Sequence, residues 1–415
     1  MKSIQQSTFS KDFVLVVLGQ IISILGAALL RFALSLYVLD LTGRADLFAG
    51  LLAVSSIPLL LSPIGGALAD RFNRRNLMVL FDIISGLVIS CLFLFLSIQE
   101  PSIIVIGVAM TLLALISALY TPAVLASIPL LVIDSKLEQA NGIVQGIQAL
   151  SQVAAPVLGG VLYSMLPLKT LVIVSAILFF CSAILEMFIT IPFEKQAQQQ
   201  PIIKDLQVGF QYVGQHTFIL KSIVLAASLN FLLTPFFIIG VPIILRMAMQ
   251  TSDVLYGIAM GVIDLATIIG ALSIGLFAKR LRMNLLYKWL LVIALFALPI
   301  AFTVTPFVLQ QSFTLSFLIF TGCSIAIAML ITVLSIFVIT AVQKQTPNEH
   351  LGKVMAIITA SAQCIAPFGQ ILYGIIFEAT QNTMYWSVLL MSLAVLLLAF
   401  LAKKMWQHAE SEEAL

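Results

Sequence analysis

The sequence predicts an all-α membrane protein of twelve transmembrane helices, arranged as two six-helix bundles related by a pseudo-two-fold axis along the membrane normal. Three observations carry that prediction. The 415-residue chain is 61% hydrophobic and only 9% charged, with a mean hydropathy of +1.13, values that a soluble globule does not reach. Its apolar runs are long enough to cross hydrocarbon, which takes about 20 residues of helix. The second half of the chain also repeats landmarks of the first at an offset of about 210 residues, the mark of a duplicated unit.

In chain order the apolar runs cover roughly 13–39, 47–69, 76–98, 102–132, 140–166, 168–193, 219–245, 253–278, 285–305, 312–342, 352–378 and 383–402. Lys2 and Lys11 before the first run resemble the start of a signal peptide, but the run extends from Phe13 to Leu39, well beyond the roughly 7–15 apolar residues of such a segment. It is therefore read as the first span. Connections are short except for the polar segment from Glu194 to Thr217, close to the midpoint. The expected organisation is an N-terminal bundle over 1–193, a linker over 194–218, and a C-terminal bundle over 219–415 that ends in a short tail. In the linker, Ile203, Leu206, Phe210 and Val213 follow a 3-4-3 spacing, which predicts a short amphipathic helix on the membrane surface.

Basic residues in short loops stay on the cytoplasmic side. One side of this topology collects Lys2, Lys11, Arg71, Arg74, Arg75, Lys136, Lys195, Lys204, Lys221, Lys279, Arg280, Arg282, Lys288, Lys344, Lys353, Lys403 and Lys404, the other only Arg44, Lys169 and Arg246, while Arg31 lies inside a span. Both termini and the linker are accordingly expected to be cytoplasmic, in a multi-pass protein of the cell membrane. The net charge of +3 is too small to imply a nucleic-acid partner. Cys91, Cys181, Cys323 and Cys364 sit in apolar runs without CxxC spacing, and His216, His350 and His408 are isolated, so no metal, disulfide framework or cofactor is expected. The chain has no Gly-x4-Gly-Lys-Ser/Thr loop for ATP, and no HExxH or clustered carboxylates of the kind a membrane-embedded enzyme would need.

The repeat sets Gly66-Ala-Leu-Ala-Asp70-Arg71 against Gly275-Leu-Phe-Ala-Lys279-Arg280, Gln152-Val-Ala-Ala-Pro156 against Gln363-Cys-Ile-Ala-Pro367, and Gly142 against Gly352. Six spans per copy start each copy on the same side, so the repeat is parallel, and two such bundles enclose a midplane site that rocking can open to either face. Polar stripes at helical spacing recur on the first span of each three-span unit. Span 1 has Gln20, Ser23, Ala27, Arg31 and Ser35; span 4 has Thr111, Ala114, Ser117 and Thr121; span 7 has Ser222, Ala226, Asn230 and Thr234; span 10 has Ser324, Ala328, Thr332 and Ser335. Each stripe alone could be a helix-packing face; their recurrence points to a shared cavity lining.

The loop after span 2 reads Gly66-x3-Asp70-Arg71-x-Asn73-Arg74-Arg75 and resembles the signature of the major facilitator superfamily. Asn73 stands where that signature has glycine, and it too enters the left-handed region readily. The resemblance implies the superfamily's twelve-helix fold and assigns Gly66, Asp70, Arg71, Arg74 and Arg75 to a latch that holds the bundles together at the cytoplasmic face. In the second copy Lys279 replaces the acid, so only the first copy carries an acidic latch. Span 5 reads Gly142-x8-Ser151-x3-Ala155-Pro156-x2-Gly159-Gly160 and is similar to the antiporter motif of drug exporters, with Ser and Ala for two glycines. Small residues there permit close helix approach, and Pro156 permits a bend.

Three further segments resemble macrolide-efflux-type exporters: Tyr120-Thr-Pro122-Ala123 through Leu137-Glu-Gln-Ala-Asn141-Gly142, Asp205-Leu-Gln-Val-Gly-Phe-Gln-Tyr212, and Gln343-Lys-Gln-Thr-Pro347 with Gly352-Lys353-Val354. The resemblance implies a secondary transporter, without enzymatic activity, that uses an ion gradient, H+ above all, to export small amphipathic molecules such as drugs. Import or facilitated diffusion of a lipid, siderophore or metabolite is the alternative. The working unit is read as a monomer.

Carboxyls away from the ends of spans are few: Asp82, near the cytoplasmic end of span 3; Glu186, in a span read as peripheral; and Asp264, the twelfth residue of span 8 and so close to the midplane. A charge there costs about 2.5–3.5 kcal/mol on the insertion scale. Asp264 lies on a face of small residues with Gly257, Gly261, Ala271 and Gly275 and is read as the coupling carboxyl, with Arg31 as its partner when ionised. A static bridge or a permanently neutral Asp264 is the competing reading. Gln20, Asn230 and Glu186 complete the candidate cavity residues.

Overall fold

The computed structural model describes residues 9–98, 102–133, 136–191, 211–274 and 281–406. Twelve helical segments account for almost all of them. They are α1 (Lys11–Thr42), α2 (45–71), α3 (Arg74–Ile98), α4 (Ile103–Leu131), α5 (Leu137–Met165), α6 (Leu168–Met187), α7 (Thr217–Ala248), α8 (Asp253–Leu272), α9 (Met283–Thr303), α10 (Phe313–Gln345), α11 (Asn348–Ala379) and α12 (Tyr385–Trp406). Eleven are long and apolar enough to span, and α2 completes the set with its apolar portion Ala45–Leu61.

Local sequence explains where the helices break. Gly43 turns the chain between α1 and α2 at a φ of +59°, a conformation glycine adopts without penalty. Inside α2, the 3-10 turn Ile57–Leu61 opens on Pro58, and a second proline follows at the start of Ser62–Arg71, so the i to i−4 ladder is interrupted twice. In α7, Pro235 and Pro242 accompany two π turns, Phe236–Gly240 and Ile244–Ala248. Tyr373 of α11 donates its hydroxyl to Leu232 O at 2.6 Å beside the first of them. That bond serves a backbone acceptor which an uninterrupted α-helix would satisfy internally.

The chain divides into two compact units, residues 1–41 with 54–199 and residues 42–53 with 200–415. In the first, α3 packs on α4 and α6, and the second half of α2 packs on α4; in the second, α9 packs on α10 and α12, and α8 packs on α10. These pairings are equivalent after a shift of six helices, so the sequence repeat is a repeat of packing. Helix faces follow the apolar solvent rule. On α3, Leu80, Leu87, Leu94 and Phe95 are exposed while Met78, Asp82, Ser85 and Ile89 are buried, which places lipid on one side and bundle interior on the other.

One core of the first unit gathers Phe13, Val16, Met78, Tyr120, Val124 and Ile128 at the end that bears the amino terminus. Ser10 Oγ donates to Leu131 O at 2.7 Å there, and Thr190 N to Asp12 Oδ1 at 2.9 Å. Of the predicted surface helix, Ile203, Leu206 and Phe210 lie outside the described residues. Val213 is buried in the core of the second unit with Ile219, Ile223, Val342 and Val354.

Candidate functional site

A cavity of about 360 Å³ opens inside the first unit. Two of the polar stripes meet at it: Gln20, Ser23, Ala27 and Arg31 of α1, and Ala114, Ser117 and Thr121 of α4. Their spacing of three and four keeps each set on one helix face. Ser35 is not part of this lining, and its hydroxyl donates to Phe32 O at 2.9 Å. Apolar walls come from Leu34, Met110, Leu113, Ile116 and Phe179. Asp82, Ser85, Tyr120 and Gln148 add polar groups that the stripes do not contain.

Arg31 is exposed into this space, whereas Gln20 and Asp82 are each only 2% exposed. Ser23 Oγ donates to Asp82 Oδ1 at 2.7 Å, and Tyr120 Oη donates to Glu186 Oε1 at 2.7 Å. Glu186 is 0% exposed, on the inward face of a helix whose other face exposes Val174, Ile177 and Ile184. A Cβ placed on Gly19 of α1 would lie 3.2 Å from Glu186 Cγ and 3.3 Å from Ser182 Oγ. Glycine at that position therefore brings α1 down onto α6 and seals the carboxyl in. Glu186 does not itself line the cavity; it reaches the lining through Tyr120.

The antiporter-like motif lies on α5. Ser151, Ala155, Pro156, Gly159 and Gly160 are buried, and Gly142 is exposed with nothing within 4 Å of a Cβ built on it. At Gly159 a Cβ would sit 2.6 Å from the Phe32 ring, so α5 meets α1 next to Arg31. The latch residues are distributed differently from a single cluster. Arg74 donates to Ala69 O at 3.0 Å and to Ala126 O at 2.8 Å, and Arg75 donates to Met187 O. Both guanidiniums thus staple helices within the first unit. Arg71 is exposed, and the side chain of Asp70 lies outside the described residues. Gly66 faces open space. Its neighbour Gly65 is the point of tight contact, where an added Cβ would lie 2.8 Å from Leu119 Cα.

In the second unit, stripe residues bond within their own helices, as Thr121 of α4 does to Ser117 O. Ser222 donates to Phe218 O, Asn230 to Ala226 O and Thr332 to Ala328 O, each within its own helix. Thr234 completes the Asn230 amide with a bond of 3.3 Å. Asp264 is half-buried on α8, and among the described residues no side chain bonds its carboxyl; the neighbouring Thr267 hydroxyl goes to the Asp264 backbone oxygen at 2.7 Å. No group of three or more His, Cys, Asp or Glu residues that could hold a metal ion occurs among the described residues.

Comparisons with known proteins agree with this architecture. The family model of the Major Facilitator Superfamily matches residues 16–369. Macrolide efflux protein A of Streptococcus pyogenes is 23% identical over 364 residues, covering 85% of this chain and 86% of that protein. The enterobactin exporter EntS of Salmonella typhi is 26% identical over 327 residues, covering 75% and 72%. Among solved structures, the nucleoside transporter NupG superposes with a TM-score of 0.71 at 14% identity over 96% of this chain and 99% of that one. A bacterial homologue of the iron transporter ferroportin in its inward-facing state gives 0.67 at 18% identity over 94% and 98%. Structural likeness at these identities speaks for the fold alone. With its twelve helices, its repeated packing and a family match across most of its length, the chain belongs to the major facilitator superfamily, as a multi-pass membrane transporter rather than an enzyme, and it is similar to the macrolide-efflux-type members.

Proposed function

We propose that the protein is a secondary active exporter of small amphipathic molecules, driven by a proton gradient through alternating access. The observation that carries this reading is the cavity of the first unit, where Arg31, Gln20 and Asp82 share one space with Leu34, Met110 and Phe179. Such a mixture suits a ligand that is mostly apolar and carries a few polar groups. Relatives named for macrolide and enterobactin export support the outward direction. Asp264 is assigned to coupling, Arg31 and Gln20 to substrate contact, and Asp70 with Arg71 to the cytoplasmic latch. Asn230, 210 positions after Gln20 in the repeat, is assigned to substrate contact from the second unit. The protein is placed in the cell membrane as a monomer with both termini cytoplasmic.

Inside-out membrane vesicles test this. Acidifying the lumen should drive uptake of a macrolide or another amphipathic probe, and a protonophore should abolish it. Uptake that equilibrates without accumulation, indifferent to the protonophore, would make the protein a facilitator. Arg31 in the cavity wall also favours a second reading, export of anionic or strongly hydrogen-bond-accepting molecules such as siderophores, and a siderophore probe belongs in the same assay.

A further inference from the structure

We propose that Asp82 and Glu186 form a proton-binding pair in the first unit, separate from Asp264. The argument is a count of hydrogens. Three buried acceptor atoms here have no hydrogen-bond partner among the described residues: Gln20 Oε1, Asp82 Oδ2 and Glu186 Oε2. Three hydroxyls beside them already make bonds. Tyr120 donates to Glu186 Oε1, Ser23 to Asp82 Oδ1, and Ser182, which lies beside Asp82, to Gly19 O at 2.9 Å. These bonds leave Asp82 Oδ2 and Glu186 Oε2 bare, and a buried acceptor left bare carries its full desolvation cost. A proton on each carboxyl converts an orphan acceptor into a donor and removes two negative charges from a dry site. Gln20 Oε1, on the same cavity wall as Asp82, is an acceptor that such a donor can serve.

Among the described residues no cation performs this task. Arg31 is the charged residue of α1 that shares the cavity, and it lies eight positions beyond Ser23, about 12 Å along a helix. Asp12, at the start of α1, receives Thr190 N. On α3, Arg75 approaches the end of α6 but bonds Met187 O rather than the Glu186 carboxyl. The second half of α2 contributes Ser55 and Leu59 to the cavity, α4 contributes Tyr120, and α5 contributes the neutral Gln148. Asp82 lines the cavity and exchanges its proton there, and Glu186 exchanges only through the Tyr120 hydroxyl. The pair therefore has an outer and an inner member. This inference draws on the proton-driven reading only for its place in the transport cycle.

Infrared difference spectroscopy of the full-length protein in lipid nanodiscs, recorded in H2O and D2O at neutral pH without substrate or gradient, tests it. Wild type should show carbonyl stretches of protonated carboxyls. Asp82→Asn should remove one, Glu186→Gln another, and Asp264→Asn should leave both. Tyr120→Phe keeps both carboxyls, and it should shift the Glu186 band and slow its H/D exchange, which gives a readout even where an amide variant fails to fold. Absence of both bands in wild type, or their persistence in the Asp82→Asn, Glu186→Gln double variant, would overturn the pair. Failure of gradient-driven transport with both bands present would instead count against the transport reading and leave the pair standing.

Discussion

Replacing Gly65 with alanine should destabilise the protein, whereas the same change at Gly66 should not, although Gly66 is the glycine of the superfamily signature. A Cβ at Gly65 would lie 2.8 Å from Leu119 Cα and 2.9 Å from the backbone oxygens of Ala118 and Leu119. All three are α4 main-chain atoms, which cannot rotate away. Ordinary carbon contacts are about 3.5–4.0 Å, so α2 and α4 must separate by roughly an ångström against a packed bundle. Overpacking of this kind costs about 1–3 kcal/mol. A Cβ at Gly66 meets nothing within 4 Å, and alanine there gains up to about 1 kcal/mol of helix propensity. Thermal stability of the two purified variants in the same detergent should therefore separate by several degrees, at about 2–4 °C per kcal/mol for a unit of this size, with Gly65→Ala the lower. Equal melting of both variants, or a greater loss for Gly66→Ala, would refute the packing argument. A slow Gly66→Ala transporter with unimpaired stability would place that glycine in the latch.

Three other outcomes follow from the site. Asp264→Asn should leave the protein folded and in the membrane, abolish accumulation against a gradient and spare downhill exchange; uphill transport with unchanged pH dependence, measured in proteoliposomes, would remove Asp264 from coupling. Asp70→Asn should lower the transport rate several-fold and keep substrate affinity within a few-fold, as read by equilibrium binding beside initial rates. Single cysteines at Asn73 and Gln199 should resist an impermeant thiol reagent on intact cells, and one at Thr42 should react; labelling at Asn73 from outside would reverse the orientation.

The span pattern was legible because hydrocarbon admits only backbone whose hydrogen bonds close internally, which forces long uninterrupted apolar runs such as 313–345 of α10. Prolines marked the irregularities: Pro58 at the 3-10 turn of α2, and Pro235 and Pro242 beside the π turns of α7. Which polar stripe would face a cavity was not legible. Ser222 and Thr332 return their hydroxyls to carbonyls four residues back, and that option is open to serine and threonine on any helix face. Thr121 of α4 makes the same bond to Ser117 O and still lines the cavity, so neither the spacing nor the back-bond tells a lining from a packing face. The burial of Glu186 depended on Gly19, across 167 positions of sequence; the residue that seals it has no side chain and leaves no pattern. Gln148 carried a weaker signal, an amide inside a span, and it lines the cavity from α5.

Substrate protection in the first-unit cavity tests the central claim most directly. In a background with Cys91, Cys181, Cys323 and Cys364 replaced, Ser117→Cys puts a thiol on the α4 wall of the cavity that the α1 stripe also lines. The cavity account predicts that a small soluble maleimide labels this cysteine in proteoliposomes and that a transported amphipathic substrate slows labelling in proportion to its occupancy. Labelling that is unaffected by saturating substrate, with transport intact, would contradict it.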